Sequence, residues 1–168
     1  MRILVTAASK HEATAEIAAR IGEVLEAAGH EVAVAAPELV DGVADYDAVV
    51  LGSAVYAGHW LPAAKAFAER HEDALRELPL WLFSSGPVGA PEPKPDGDPV
   101  DVAGLVEALR PWEHAVFAGR IDKPRLGYAE RAIVRALRAP TGDFRDWEAI
   151  EAWARAVAAQ LAPATTAA

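Results

Sequence analysis

Five short apolar runs spaced along the chain constrain its fold more than any other feature. Two of them, "RILVT" (2–6) and "DAVVLGS" (47–53), lack a regular alternation of polar and apolar residues, which is typical of strands buried on both faces of a parallel sheet. The other three predicted strands are "EVAVA" (31–35), one within "LPLWLFSS" (78–85), and "HAVFAG" (114–119). Such a sheet needs helices to cover both of its faces.

Segments with helical periodicity lie between these runs. From Thr14 to Ala28 the apolar residues fall on one helical stripe, and Gly29 stands where a helix C-cap is expected. Further helices are predicted from Pro62 to about His71, over 100–110, around 130–138, and from an N-cap near Asp146. Strands that alternate with helices predict an α/β fold with a five-stranded parallel sheet and helices on both faces.

Length and composition indicate one domain at residues 1–161, followed by a disordered tail at 162–168. A chain of 168 residues, 52% hydrophobic, is long enough to bury a substantial core. The Pro-rich stretch 86–99 is predicted to be a surface excursion within that domain. We expect a cytoplasmic protein, because there is no signal-peptide pattern, no cysteine, and no apolar run near the ~20 residues that span a bilayer.

Charge is distributed unevenly along the chain. The net charge of −9 argues against general binding to nucleic acid. Residues 120–138, however, hold six basic and two acidic residues, a local charge of +4, which leaves −13 on the remainder. This basic island on an acidic protein is either a solvated surface helix or a segment that touches an anionic membrane or substrate.

The segment from Thr6 to Thr14, between the first strand and the first helix, could hold a phosphate. A helix N-terminus presents unpaired backbone N–H groups and a partial positive charge, and Ser9, Lys10 and Thr14 add two hydroxyls and a cation. The alternative is an ordinary turn in which Thr14 caps the helix and Ser9 bonds locally. This segment alone leaves both alternatives open.

Two later segments also follow predicted strands. "GSAVYAGHW" (52–60) has small residues that let backbone approach a flat ligand, and aromatic residues that can stack on it. Alternatively, Tyr56 and Trp60 only cover the sheet edge, and His59 is a surface histidine. "SSGPVG" (84–89) is by itself only a turn with free backbone groups.

Taken together, the three segments resemble the flavodoxin-like proteins, and among them the group related to menaquinone-dependent protoporphyrinogen oxidase. "ASKHEAT" resembles that group's phosphate loop, and "GSAVYAGHW" and "FSSGPVG" resemble its two flavin-ring loops. The late segment "FAGRIDKPRLGYAERAIVRALRAPTGDFRDWEAIEAWA" is similar to the part that distinguishes this group from electron-carrier flavodoxins. The resemblance implies a three-layer sandwich with strand order 2-1-3-4-5, in which the three segments meet at the topological switch point.

The resemblance also implies a non-covalent FMN and the residues around it. The phosphate would lie among Ser9, Lys10, His11, Glu12, Ala13 and Thr14. One side of the ring would face Ser53, Ala54, Val55, Tyr56, Ala57 and Gly58, and the other would face Ser84, Ser85, Gly86, Pro87 and Val88. Such a site needs no acid or base from the protein, because the flavin performs the redox chemistry, so no catalytic residue and no metal ligand is predicted.

Glu12 departs from the family pattern, which has glycine at this position. Glutamate disfavours a positive φ, and its charge repels a phosphate dianion. For unit charges about 4 Å apart at an effective dielectric of about 20, the repulsion is about 4 kcal/mol, but in water at about 8 Å it is about 0.5 kcal/mol. We expect the Glu12 side chain to point to solvent, with Lys10 and His11 offsetting its charge.

The function that the resemblance implies is an FMN-dependent oxidoreductase that moves electrons from a reduced organic substrate to a quinone. Two alternatives stand beside it: an electron carrier that docks to a protein redox partner, and a fold that has lost FMN, as Glu12 would suggest. If the basic island meets the inner face of a membrane, we expect that peripheral contact to be weak.

Overall fold

The central sheet consists of five parallel strands and a short antiparallel extension. The computed structural model describes residues 1–56, 58–86, 102–136 and 141–161. The parallel strands are β1 (Arg2–Ala8), β2 (Glu31–Ala35), β3 (Ala48–Tyr56), β5 (Leu80–Ser85) and β6 (Glu113–Phe117), and the extension is β4 (His59–Trp60), which pairs with the end of β3. Their order, β2-β1-β3-β5-β6, confirms the predicted flavodoxin-like arrangement.

The helices follow the predicted alternation, with differences in extent. They are α1 (Ala13–Ala27), α2 (Pro62–Arg70), α3 (Glu72–Glu77), α4 (Ala103–Leu109), α5 (Tyr128–Ala136) and α6 (Trp147–Leu161). The sequence did not predict α3, which starts after His71 leaves the helical conformation at φ −114° and ψ 17°. Asp146 caps α6 as predicted, because its Oδ1 accepts a hydrogen bond from the Ala149 N–H at 2.9 Å.

Two hydrophobic clusters lie on opposite faces of the sheet. Helices α1 and α6 cover one face and pack on residues such as Val5 and Phe83, while α2, α3 and α4 cover the other and pack on residues such as Leu51. Both faces of the central strands are therefore buried, which explains their continuous apolar sequences. Neither cluster includes a residue of α5 among the side chains that the structure describes.

The strands extend further toward their carboxyl ends than predicted. Register pairs join Ala8 of β1 to Ser53 of β3, and Ala54 of β3 to Ser85 of β5. Residues 7–8 and 54–56, which lie beyond the first and third predicted strands, therefore belong to β1 and β3. The extension arises because hydrogen bonding to neighbouring strands continues after the apolar pattern ends, and sequence periodicity does not record that pairing.

The late part of the chain forms an excursion with a separate two-stranded sheet. Strand β7 (Arg120–Ile121) pairs antiparallel with β8 (Gly142–Asp143), and α5 lies between them in the chain. Helix α5 starts two residues before the predicted Glu130. The predicted tail at 162–168 and most of the Pro-rich stretch lie outside the described residues. In the described part of the chain, no helix has both the length and the apolar character needed to cross a membrane.

Candidate cofactor site

The three predicted loop segments meet at one edge of the sheet. They follow β1, β3 and β5, which are neighbours in the sheet and parallel to one another. Ligands of doubly wound sheets bind at the carboxyl ends of the strands, beside the point where the strand order reverses. This edge is therefore the candidate site, and the predicted switch point lies between β1 and β3.

Ser9, Lys10, His11 and the N-terminus of α1 form a cradle for an anion, here called the anion cradle. Within the described residues, the buried Ser9 Oγ has no hydrogen-bond partner. The predicted alternative, a turn capped by Thr14, is not observed: the N-cap position is Glu12, which makes no side-chain capping bond, and Thr14 lies inside the helix. An orphaned hydroxyl beside a helix N-terminus and a lysine fits a phosphate.

Glu12 adopts the left-handed conformation that the family glycine would favour. Its φ is +65°, and its side chain is 68% exposed and ion-paired with Arg125. The expected solvent-facing orientation agrees with this geometry. The partner differs from the expectation, however, because the compensating charge comes from Arg125, 113 residues away in sequence, and not from Lys10 or His11.

Lys10 and His11 instead bind the carboxylate of Glu130 on α5. The Lys10 ammonium donates to Oε1, and His11 Nε2 lies 3.2 Å from both carboxylate oxygens. The Gly127 N–H donates to Oε2 at 2.8 Å. The hydrogen bond from Lys10, together with the backbone bond from Gly127, lowers the pKa of Glu130 to about 2. The anion cradle thus already holds one anion, supplied by the chain itself.

Arg145 holds the first turn of α1 in place through polar contacts. Its side chain is only 3% exposed, and its guanidinium donates to Glu16 at 2.6 Å, to the Ala13 carbonyl at 3.3 Å and to Asp143 at 2.6 Å. It also stacks on Trp147, 4.4 Å from the ring centroid. Its hydrogen bonds hold the pKa values of Glu16 and Asp143 below their ordinary range. The β7–β8 pair is thereby tied to the helix that forms the anion cradle.

Buried hydrogen bonds hold the other two segments in place. Ser84 Oγ accepts from the Trp60 indole N–H at 2.8 Å and lies 2.8 Å from His114 Nε2. Ser53 Oγ accepts from the Leu61 N–H at 2.9 Å and donates to the Ala54 carbonyl at 2.8 Å. Both serines are fully buried, so their hydroxyls serve the scaffold. Toward a ligand they can offer only backbone groups.

Tyr56, at the end of β3, lies next to the anion cradle. Its ring lies 5.3 Å from the Lys10 ammonium and 6.4 Å from the His11 ring. Burial, with a further contribution from the Glu130 carboxylate, raises the pKa of Tyr56 to about 12, so the phenol stays neutral. Trp60, for which the alternative was that it covers the sheet edge, belongs to the hydrophobic core.

Glycines shape the turns that follow the two strands. Gly58 and Gly86 have φ values of +80° and +90°, which other residues adopt at a cost. The Gly86 N–H donates to the Phe117 carbonyl at 2.9 Å, which holds the end of β5 beside β6. Ala54 and Ser85 are buried, and Val55 is half-buried. The predicted site residues Ala57, Pro87 and Val88 lie outside the described residues.

The sequence profile of the flavodoxin domain family matches residues 4–148. The chain belongs to the flavodoxin domain family. Protoporphyrinogen IX dehydrogenase [quinone] of Escherichia coli K12 is 26% identical to it over 172 aligned positions, covering 94% of this chain and 95% of that protein. The predicted family resemblance is therefore confirmed, with a relative of nearly the same length.

Solved structures support the fold independently. Flavodoxin 1 from Bacillus cereus has a TM-score of 0.60 at 16% identity, covering 97% of this chain and all of that one. A cysteine-to-serine variant of flavodoxin from Pseudomonas aeruginosa has a TM-score of 0.61 at 17% identity, covering 96% and 99%. Rubredoxin oxygen:oxidoreductase from Desulfovibrio gigas has a TM-score of 0.59 at 15% identity; this chain spans 37% of its length. The family and this fold imply flavin binding.

Several residues at the site were not predicted from the sequence. Glu130 and Arg125 were noted only as members of the basic island, and Arg145 was not singled out. Their partners lie more than 100 residues away in the chain, and no periodic pattern records such contacts. The described part of the chain contains no cluster of three or more metal-ligating side chains.

Proposed function

We propose that this protein is an FMN-dependent oxidoreductase that passes electrons from a reduced organic substrate to a quinone. The observation that carries the proposal is the similarity to protoporphyrinogen IX dehydrogenase [quinone], which extends over 94% of this chain. The aligned region therefore includes the excursion between β7 and β8 as well as the three segments at the strand ends. A porphyrinogen is accordingly the first substrate to test.

The residues of the anion cradle would hold the phosphate of FMN. Ser9 Oγ would donate the hydrogen bond that it lacks, Lys10 would supply charge, and His11 would offer its ring nitrogen. Residues 53–58 and 84–88 would flank the ring, largely through backbone groups, since Ser53 and Ser84 use their hydroxyls internally. When bound, FMN supplies the redox chemistry, and the chain binds it, orients it and shields it from water.

Two features of the chain prepare this site before a ligand arrives. Arg145 holds the first turn of α1 by its contacts with the Ala13 carbonyl and the Glu16 carboxylate, so the backbone N–H groups of the anion cradle keep their direction. The Ser84–Trp60 bond does the same for the ends of β5 and β4. Such preorganisation lowers the cost of ordering the site when a ligand binds.

The second candidate is an electron carrier with a protein redox partner. Complete single-domain flavodoxins match this fold over 97% and 96% of the chain, and the acidic remainder suits docking to a basic protein. The two candidates differ in what reduces and oxidises the flavin. A carrier needs a reductase, whereas the proposed enzyme needs only its organic substrate and a quinone.

Visible absorption of the purified protein, followed by titration with FMN, is the first test. We expect a flavin spectrum after addition of FMN; a protein that stays colourless in millimolar FMN would refute both candidates. The second test is anaerobic oxidation of protoporphyrinogen with a menaquinone analogue. Turnover supports the enzyme, whereas no turnover combined with reduction by a flavodoxin reductase supports the carrier.

Weak membrane contact through the basic island is the remaining part of the proposal. Among the described side chains of the island, Arg120 and Arg125 are engaged by Glu16 and Glu12, whereas Arg131 and Arg135 of α5 are exposed and would face an anionic surface. Sedimentation with vesicles that contain an anionic lipid tests it. We expect binding that disappears in neutral vesicles and in the double variant Arg131→Gln/Arg135→Gln.

A further inference from the structure

We propose that Glu130 is an internal ligand of the anion cradle, and that it must leave before a phosphate monoester can bind there. This inference rests on the proposed FMN function, because it identifies what controls access to the phosphate end of that site. Glu130 belongs to α5, 120 residues from Lys10 in sequence, so the contact is made only when the late excursion folds over the first loop.

The contacts of Glu130 use both carboxylate oxygens. Oε1 accepts from Lys10, Oε2 accepts from the Gly127 N–H at 2.8 Å, and His11 Nε2 is 3.2 Å from each. The side chain is 18% exposed, whereas Lys10 is half-exposed. The carboxylate therefore points into the anion cradle and not toward solvent.

The same groups are those that a phosphate needs. Lys10 is the cationic side chain of the cradle and His11 is one of its hydrogen-bonding side chains, and both contact Glu130. A phosphate dianion placed on the same two side chains would face the carboxylate at close range, and like charges there repel each other. Glu130 and a phosphate monoester are thus mutually exclusive ligands of this pair.

A carboxylate satisfies the anion cradle only in part. Ser9 Oγ is buried and has no partner among the described residues while Glu130 is in place. A phosphate monoester carries three terminal oxygens and can reach more donors than a carboxylate can. This difference gives the incoming ligand an advantage that the internal one lacks.

Release of Glu130 need not disturb the core. Helix α5 contributes none of its described side chains to the two hydrophobic clusters. The Arg125–Glu12 ion pair and the Arg145 contacts hold the chain before and after α5, and neither involves Glu130. The helix can therefore shift while the excursion stays attached to α1.

Flavin titrations of the apoprotein test this inference directly. We compare FMN with riboflavin, which lacks the phosphate, in the wild type and in Glu130→Gln. If Glu130 occupies the cradle in about nine of ten molecules, its removal tightens the apparent Kd for FMN about tenfold, since the competent fraction divides the intrinsic Kd. The Kd for riboflavin should change by less than about twofold, because riboflavin has no phosphate to compete with Glu130 for the cradle.

Glu26→Gln is the matched control, because Glu26 is an exposed carboxylate near the far end of α1, about 20 Å from the cradle. It removes the same charge and should leave both Kd values unchanged. FMN binding that is unchanged or weaker in Glu130→Gln overturns the inference, because a residue that only positions Lys10 would show that result. An equal gain for riboflavin overturns it as well.

Inorganic phosphate gives a readout that does not need the flavin. Thermal unfolding of the three proteins is measured in phosphate and in chloride at equal ionic strength. We expect phosphate to raise the Tm of Glu130→Gln more than that of the wild type or Glu26→Gln; equal shifts overturn the inference. If no variant binds either flavin, the proposed function fails, and this measurement alone decides the role of Glu130.

Discussion

The anion cradle and the strand ends beside it are held by different kinds of interaction. At the cradle, partly exposed side chains form ion pairs across more than 100 residues of sequence, Glu130 with Lys10 and Arg125 with Glu12. At the strand ends, fully buried serines make hydrogen bonds to an indole and to a backbone amide. The anion cradle can therefore respond to charge and pH, whereas the strand ends are held by buried hydrogen bonds.

This difference indicates where each property of the site resides. Exposed ion pairs contribute little stability, typically below about 1 kcal/mol, and salt screens them. Buried hydrogen bonds are costly to break, because the abandoned group cannot turn to water. We therefore expect substitutions at the strand ends to change stability, and substitutions at the cradle to change ligand affinity.

The largest effect is expected from Gly52→Ala in β3. A Cβ at this position would lie 2.2 Å from Cζ of Phe83, whose ring is fully buried, so the core must shift. We expect the free energy of unfolding to fall by about 3 kcal/mol, measured by urea denaturation. Gly104→Ala in α4, where the added methyl meets nothing within 4 Å, should be neutral or slightly stabilising. Similar values for both variants would contradict this packing.

Ser84→Ala should follow in size. It leaves the Trp60 indole N–H buried without its acceptor, and we expect a loss of about 2 kcal/mol in the free energy of unfolding, independent of salt. Thr6→Val is the matched control, because the buried Thr6 hydroxyl has no partner within the described chain and its removal breaks no bond. A loss in Thr6→Val as large as in Ser84→Ala would argue against a special role for the Ser84 bond.

Glu12→Gly should change affinity more than stability. Glycine accepts the φ of +65° without strain, and removal of the carboxylate leaves Arg125 free to attract a phosphate. We expect FMN binding to tighten about fivefold, or about 1 kcal/mol, in a flavin titration.

Arg110→Gly is the control for the backbone part of that effect. Arg110 is the other described non-glycine residue with positive φ, at +52°, and it caps the far end of α4. Both variants relieve the backbone, so stability should rise by about 1 kcal/mol in Arg110→Gly and by less in Glu12→Gly, which loses its ion pair. An equal change in FMN affinity would mean that the Glu12 charge has no effect on the ligand.

The smallest effect concerns pH and the Glu130 contact without ligand. Its pKa is lowered from the usual 4.5 to about 2, so its stabilising contribution is complete above pH 4.5 and is lost as the pH falls to about 2. The difference in Tm between the wild type and Glu130→Gln should therefore shrink over that interval. Glu26→Gln serves as the reference; a difference that stays constant with pH would contradict the ion pair.

Much of the fold could be predicted because its signals are local. Apolar runs such as 2–6 and 47–53 predicted the parallel strands, and a stripe of residues three and four apart predicted α1. The ends of the strands were misjudged because pairing with neighbours, as between Ala8 and Ser53, extends a strand beyond its apolar sequence. Helix α3 was missed because no glycine or proline separates it from α2.

The candidate site, like the fold, could be predicted from the sequence only where its signals are local. The sequence by itself determined the three segments at the strand ends, since small residues, hydroxyls and glycines after apolar runs are recorded residue by residue. Only the tertiary structure decided that Glu12 is neutralised by Arg125 and that Lys10 and His11 hold Glu130. Those contacts join residues more than 100 positions apart, and the energy of an ion pair depends on distance in space, which the order of residues does not specify.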